Sequence, residues 1–249
     1  MLIATWNVNS VRKRISQITD WIKIVNPDVL CLQETKVMDE SFPLMPFEEL
    51  GYEVSTHGQK SYNGVAIISK HKIENVIKGF NNKNEDKKDF LDFNEQKRII
   101  SADINGLKII NVYVPNGSSI ESDKFEYKIK WLNHLSSFLE DQVREDDLVC
   151  FVGDFNIAPF AIDIHSPEKY EGGIMASKIE REALNNVIKG RFIDSFRIFE
   201  KNTGHWSWWD YRNNGFELNK GWRIDHIYIS KNLSSNLKSC VIERTQREN

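Results

Sequence analysis

The sequence predicts a mixed α/β protein with helices outside mixed β-sheets. Three observations carry this. Eight short segments read as strands, only three segments show helical periodicity, and several strands follow one another in hairpin-like succession with no helix between them. A regular βαβ winding would interleave a helix with every strand, so mixed sheets fit better.

The strands are expected at 2–6 ("LIATW"), 28–33 ("DVLCLQ"), 52–56, 63–69 ("NGVAIIS"), 98–104, 107–114 ("LKIINVYV"), 147–153 ("DLVCFVG") and 223–229 ("RIDHIYI"). A helix is expected at 13–25, where Ile15, Ile18, Trp21, Ile22 and Val25 form one apolar stripe and Pro27 follows its end. Further helices are expected at 123–143 and 177–189, and residues 81–96 ("NNKNEDKKDFLDFNEQ") read as a long polar loop.

With 249 residues, 40% hydrophobic and 28% charged, the chain is long enough to bury a sizeable core. Lacking a Pro/Gly/Ser-rich linker, an internal repeat or a low-complexity tract, it reads as a single domain, 1–249. The start "MLIATWNVNS" has neither a basic n-region nor a cleavage site, and no apolar run approaches the roughly 18 residues of a membrane span. A cytoplasmic protein with no membrane partner is expected. Cys31, Cys150 and Cys240 lie in apolar runs and are an odd set, which reads as buried reduced thiols. Net charge is −3, so a surface for a polyanion must be local.

The stretch "FVGDFNIAP" at 151–159 is apolar until it places Asp154 and Asn156 two residues apart. On an extended segment these share a face, and Phe155 points the other way. Other strands end in the same manner: Asn7 and Asn9 in "TWNVN", Gln33 and Glu34 in "CLQETK", Tyr113 and Asn116 in "NVYVPNG", Asp225 in "WRIDH". Each residue alone is as readily a cap or a turn former. Gathered at one rim, they would make an oxygen-rich cleft suited to Mg²⁺, which takes hard oxygen ligands and needs only one or two protein carboxylates beside a substrate phosphate. Phosphate-ester hydrolysis is the chemistry such a cleft serves.

The tail "HWSWWDYRNNGFELNKGWRIDHIYIS" holds four of the seven tryptophans, interleaved with Arg212, Lys220 and Arg223. Such interleaving suits a pocket for a sugar or base with braced phosphates, although core packing explains one or two of the tryptophans equally well.

Together these stretches resemble the bacterial exonuclease III family of abasic-site endonucleases, within the endonuclease/exonuclease/phosphatase superfamily. The resemblance rests on "WNVNSVR" at 6–12, "NPDVLCLQETK" at 26–36, "GYEV" and "HGQKSYNGVAI" between 51 and 67, "NVYVPNG" at 111–117, "VGDFNIAP" with "DIH" between 152 and 165, "DSFR" at 194–197, and "SWWDYR" with "GWRIDH" between 207 and 226. It implies a four-layer α/β sandwich of two packed mixed sheets flanked by helices. The implied activity is hydrolysis of the phosphodiester 5′ of abasic sites with 3′→5′ exonuclease activity on duplex DNA, by a monomer whose partner is double-stranded DNA with abasic or 3′-blocked sites. Mg²⁺ is the implied cofactor, with Mn²⁺ as a substitute. Carried over residue by residue, Glu34 is the principal metal ligand, with Asn7, Asp154 and Asn156 at the same ion. Tyr113 and Asn156 bond the scissile phosphate, Asp154 handles the proton of water or leaving oxygen, and Asp225 orients a histidine. Trp208, Trp222 and Ile224 line a pocket for the extruded sugar, and Asn9, Arg12, Lys36, Asn116 and Arg223 contact substrate. Arg12, Lys13, Arg14, Lys36, Lys97, Arg98, Lys124, Lys128, Lys220 and Arg223 could supply a local basic face.

The resemblance also implies a closing "SDH" segment, and none occurs here. His226 follows Asp225 on a strand and should face away from it. The expectation is therefore a chain truncated relative to the family, lacking the final strand and impaired in activity. Two alternatives stay open: a catalytically silent chain that binds abasic DNA, and a superfamily phosphatase for a lipid or small molecule, which the Trp-rich tail and "GWRID" disfavour.

Overall fold

The computed structural model describes residues 1–80, 93–210 and 214–247; most of the expected polar loop at 81–96, and Tyr211 and Arg212 of "SWWDYR", lie outside them. The chain divides into two compact units, Met1–Tyr113 with Asp146–Asp154, and Val114–Glu145 with Phe155–Asn249. Among the described residues no helix is long and apolar enough to cross a membrane. Cys31 and Cys150 are buried thiols outside any disulfide, as expected, and Cys240, also outside any disulfide, is only partly buried.

The first unit contains two mixed sheets. In one, β1 (Ile3–Asn7) runs parallel to β2 (Val29–Gln33), and β3 (Glu53–His57) and β4 (Val65–Ser69) complete the order β1-β2-β4-β3 by antiparallel pairing. The β1–β2 connection is the helix Val11–Val25, as a parallel pair requires a crossover. The helix packs Val11, Ile18, Trp21 and Ile22 onto Trp6, Leu30, Leu32, Ala66 and Ile68, one face of the sheet. In the other sheet, β5 (Glu74–Lys78), β6 (Ile99–Ile104) and β7 (Leu107–Tyr113) pair antiparallel in that order, and β8 (Val149–Asp154) joins β7 in parallel. The β6–β7 hairpin turns on Asn105-Gly106 with φ of 50° and 77°, the positive-φ pair a two-residue hairpin favours.

A buried amide pair ties the two sheets. Gln33 Nε2 donates to Asn111 Oδ1 at 2.7 Å, and Asn111 Nδ2 donates to the carbonyls of Leu32 and Ala66 at 3.0 and 2.9 Å. Both residues are fully buried. Either one alone would cost the desolvation of an unpaired amide, so the pair fixes which strands face each other. Close approach of β7 and β8 also demands glycine at 153: φ is 146°, and a Cβ there would lie 1.9 Å from the Val112 carbonyl oxygen.

The second unit pairs β9 (Phe192–Asp194) antiparallel with β12 (Asp225–Ser230), and the two-residue strands β10 (Trp208–Trp209) and β11 (Gly221–Trp222) form a small ribbon. Its long helices are Asp123–Gln142, N-capped by Ser122 accepting from Phe125 N, and Lys178–Ile188, opened by a Ser177/Glu180 capping box. They lie against one another, and Ser136 Oγ donates to the Asn186 carbonyl at 3.2 Å.

All eight expected strands and three expected helices are present, with ends shifted by one or two residues. Among the described residues, four strands go beyond the expected ones. β5 is an edge strand, "ENVIK", whose side chains are largely exposed and carry no apolar alternation, and β9, β10 and β11 are only two or three residues long.

Candidate active site

The first unit brings together Asn7, Glu34, Tyr113 and Asp154. Beyond β1 and β2 the backbone pairing continues: Val8 N donates to Gln33 O, Ser10 N to Glu34 O and Val11 N to Thr35 O, at 2.7–3.2 Å. Thr35 N and Lys36 N are held in turn by the carbonyls of Gly64 and Asn63. These bonds hold four non-glycine residues at positive φ: Asn9 at 45°, Ser10 at 104°, Glu34 at 53° and Lys36 at 56°. Left-handed backbone costs roughly 1–2 kcal/mol per such residue, and it persists where surrounding bonds over-determine it.

Asn7 Nδ2 donates to Glu34 Oε1 and to Asp154 Oδ2, each at 2.8 Å. Asn7 Oδ1 accepts from Asn9 N at 3.0 Å, which sets the amide's orientation. On the outer oxygen of Glu34, Oε2, sits the Lys36 ammonium at 2.8 Å, and Lys36 also donates to Asn9 Oδ1. Burial pushes the Glu34 carboxyl up. The hydrogen bonds from Lys36 and Asn7 and the Lys36 charge outweigh that, and with Tyr113 they hold it below the ordinary glutamate range. Glu34 is thus an ionised carboxylate.

Tyr113 hydrogen-bonds Glu34, and Arg98 stacks over its ring at 4.6 Å. Burial, then the charges of Glu34 and Asp154, push the phenol far above its ordinary pKa. Tyr113 therefore stays protonated and can donate. The two carboxylates that accept from this one amide nitrogen supply hard oxygens of the kind a divalent cation takes, with only one or two protein carboxylates needed. Among the described residues no group of three or more His, Cys, Asp and Glu side chains is placed to hold a metal ion. Arg12 is exposed and reaches the Ser41 carbonyl at 3.1 Å.

The second unit holds Asn116, Asn156, Trp208, Trp222, Arg223, Ile224 and Asp225. The expected shared strand face of Asp154 and Asn156 is not found, because β8 ends at Asp154 and Asn156 takes φ of 49°. Strand alternation stops where the backbone turns left-handed. Asn156 is buried; its Nδ2 donates to Val114 O at 3.0 Å and its Oδ1 accepts from Asn116 Nδ2 at 2.9 Å.

Trp208 stands opposite Trp222 in the β10–β11 pairing. Trp222 and Ile224 are 6% and 2% exposed, packed with Ala158, Ile164, Met175 and Ala176, whereas Trp208 lies partly exposed over that cluster. Tyr170 meets the Trp222 ring edge-on at 5.5 Å. The aromatic wall therefore presents Trp208 outward and keeps Trp222 and Ile224 behind it. Ser207 Oγ accepts from the backbone of both Ile224 and Asp225 at 3.0 Å, which fixes the entry to β12.

Arg223 corrects the expectation of a substrate-facing cation. It is fully buried, with Nε on Asp163 Oδ1 at 2.6 Å, one terminal nitrogen on Asp194 Oδ2 at 2.7 Å and the other on His226 Nδ1 at 2.9 Å. Two carboxylates and an imidazole satisfy the guanidinium, so it braces the Trp222–Asp225 segment from inside. Lys128 is the second correction to the expected basic face, being 0% exposed. His226 is buried and donates from Nε2 to the Ile157 carbonyl at 2.9 Å. Asp163, Asp194, Glu180 and Lys128 were not singled out as a network. For Lys128 a signal existed: it occupies the same helical stripe as Phe125, Trp131, Leu132 and Leu135, all buried.

A family described as the endonuclease/exonuclease/phosphatase family matches residues 4–245. Exodeoxyribonuclease III of Haemophilus influenzae is 36% identical, over 94% of this chain and 89% of that protein. Among solved structures, a 3′-5′ exonuclease from Neisseria meningitidis superposes with a TM-score of 0.93 at 35% identity, covering 100% of this chain and 94% of that one. An AP endonuclease from Archaeoglobus fulgidus superposes with a TM-score of 0.86 at 37% identity, covering 94% and 89%. The mixed α/β class with two mixed sheets and outer helices is thus shared with solved relatives. On this match, together with the carboxylate-bridging amide at the ends of β1 and β8, the chain belongs to the endonuclease/exonuclease/phosphatase family, in the company of its exonuclease III members.

Proposed function

We propose that this chain is a Mg²⁺-dependent DNA repair hydrolase, with Mn²⁺ as a substitute ion, which cuts the phosphodiester 5′ of abasic sites and trims 3′ ends. The observation that carries the reading is the Asn7 amide, held at 2.8 Å from each of the Glu34 and Asp154 carboxylates. Glu34, Asn7 and Asp154 would hold the ion. When bound, it supplies positive charge to a phosphoryl oxygen. The chain's own groups do the rest. Asp154, an acceptor of the Asn7 amide, takes the proton of the attacking water or returns one to the leaving oxygen. Tyr113, kept protonated by burial and two carboxylates, donates a hydrogen bond to a developing oxyanion, and in the second unit the Asn156 amide is a donor for a substrate phosphate.

In the second unit, Trp208 supplies an aromatic face for a deoxyribose lacking its base, backed by Trp222 and Ile224, and Asp225 opens β12 beside them. Asn9, Arg12, Lys36 and Asn116 would meet the phosphate backbone. The names of the similar proteins support DNA as substrate and leave two activities, abasic cleavage and 3′-end exonuclease action, for one experiment to divide. Labelled duplexes carrying an internal tetrahydrofuran abasic analogue, a 3′-recessed end or no lesion are incubated with the chain in Mg²⁺ or EDTA. The expected result is incision 5′ of the analogue in Mg²⁺ alone, lost by at least about 100-fold in Glu34→Gln with a matching loss of Mg²⁺ binding by calorimetry. Equal cutting in EDTA overturns the metal assignment, retained abasic binding with no cleavage selects the silent-binder reading, and end trimming without incision restricts the chain to exonuclease work.

A further inference from the structure

Lys128 carries the inference furthest. Its ammonium is fully buried and donates to the carbonyl of Asn116 at 3.1 Å, the carbonyl of Asn156 at 2.8 Å and Glu180 Oε1 at 2.5 Å. The two carbonyls belong to the same two residues whose side chains bond each other, Asn116 Nδ2 to Asn156 Oδ1 at 2.9 Å. Glu180 is also fully buried. Its Oε1 accepts from Met175 N at 3.0 Å, and its Oε2 accepts from Ser177 N at 3.1 Å and from Ser177 Oγ at 2.6 Å. An unbroken run of polar contacts thus joins the capped start of the helix Lys178–Ile188 to the amide of Asn156.

A buried ion pair is weak evidence for stability, since apolar residues of similar volume usually serve as well, and this site lies on an otherwise apolar stripe of the helix Asp123–Gln142. What an apolar side chain would not do is hold two carbonyls. Asn156 sits at φ of 49°, so its side-chain direction depends on what pins its backbone.

We propose that Lys128, itself oriented by Glu180, is a positioning residue for Asn156: it fixes the two loops so that the Asn156 amide meets the scissile phosphate in productive geometry. This rests on the reading of Asn156 as a phosphate donor, and the test separates the two claims.

The test compares Lys128→Met/Glu180→Gln, Asn156→Ala and the triple variant with the parent chain on the tetrahydrofuran duplex in Mg²⁺. Gln at 180 keeps the capping box, and Met matches the lysine stem, so no charge is left buried alone; the two carbonyls lose the lysine donor, and the melting midpoint should fall by roughly 5–10 °C. The expected kcat of the double variant falls about 10- to 100-fold, the range seen when outer supports of a reacting group are removed, while KM changes less than about twofold. Added to Asn156→Ala, the double change should cost less than about a further twofold, because the group being positioned is already gone. Parent-level kcat in the double variant overturns the assignment of Lys128 alone. Full additivity with Asn156→Ala overturns it too, showing that the pair acts elsewhere. If Asn156→Ala itself leaves kcat unchanged, the phosphate role of Asn156 falls and the positioning role with it. Should the double variant melt below the assay temperature, the same comparison is made with all four proteins below its melting midpoint: a lower kcat at parental KM supports the assignment, and parental kcat overturns it.

Discussion

Asn7 Nδ2 lies 2.8 Å from Asp154 Oδ2, although 147 residues of chain separate them. The amide holds this carboxylate and that of Glu34 at hydrogen-bond distance from one nitrogen, where two like charges would otherwise repel. Asn7→Asp puts a third carboxylate in its place. The metal-free protein should lose about 2 kcal/mol, the cost of stranding buried acceptors, and melt roughly 4–8 °C lower. Saturating Mg²⁺ should restore most of that loss, and calorimetry should show affinity raised by roughly tenfold, since affinity follows the charge count of the ligands. A melting loss that is the same with and without Mg²⁺ would place the ion elsewhere.

What could be read in advance follows from periodicity. β8 is apolar at every position through Val152, and the polar side chains at strand ends stood out against such runs. The helix Val11–Val25 showed its stripe, and the Asn105-Gly106 turn lies between the segments read as strands. Periodicity fails where a polar residue is buried for its partners. Arg223 sits between Trp222 and Ile224 on a segment where all three are buried, so alternation assigns it no side, and its carboxylate partners lie 60 and 29 residues away. An isolated lysine on a helix is usually at the surface; Lys128 is buried because Glu180, 52 residues on, and the carbonyls of Asn116 and Asn156 satisfy its ammonium. The left-handed turn at Asn156 is set by Val114, Asn116 and Lys128, none adjacent in sequence.

Trp208 and Trp222 are paired in the β10–β11 ribbon yet differ in burial, and substitution should separate their roles. Trp222→Ala removes a buried ring from the cluster around Ile164 and Met175 and should destabilise by about 3–5 kcal/mol, read by urea unfolding. Trp208→Ala should cost far less stability and should instead abolish the preference for abasic over intact duplex, leaving the salt dependence of binding nearly unchanged. An equal loss of affinity for both duplexes would make Trp208 part of the core alone.

His226 should set an acid limit on stability. Its Nδ1 accepts from Arg223 and its Nε2 donates to the Ile157 carbonyl, so the folded imidazole is neutral with its proton on Nε2. A second proton would have to enter between Nδ1 and the guanidinium. Burial, then the Arg223 charge, pull its pKa from 6.5 to about 4. Between these values the unfolded chain binds a proton that the folded chain refuses, so stability falls as pH drops from about 6.5 towards 4 and is flat above about 7. The shift corresponds to about 3 kcal/mol lost by pH 4. His57, lowered to about 4 by burial and then Lys97, adds to the same slope. Glu34 and Asp163, both held below their ordinary range, act only further into acid. His226→Gln keeps an acceptor for Arg223 and a donor for Ile157 but does not titrate. Urea midpoints taken at half-unit steps from pH 7 to 4.5 should therefore fall less steeply for His226→Gln than for the parent, with the residual slope belonging to His57 and to His134, whose pKa burial also lowers. Parallel slopes in the two proteins would mean that His226 is already charged in the folded state and that the proton assignment beside Arg223 is wrong.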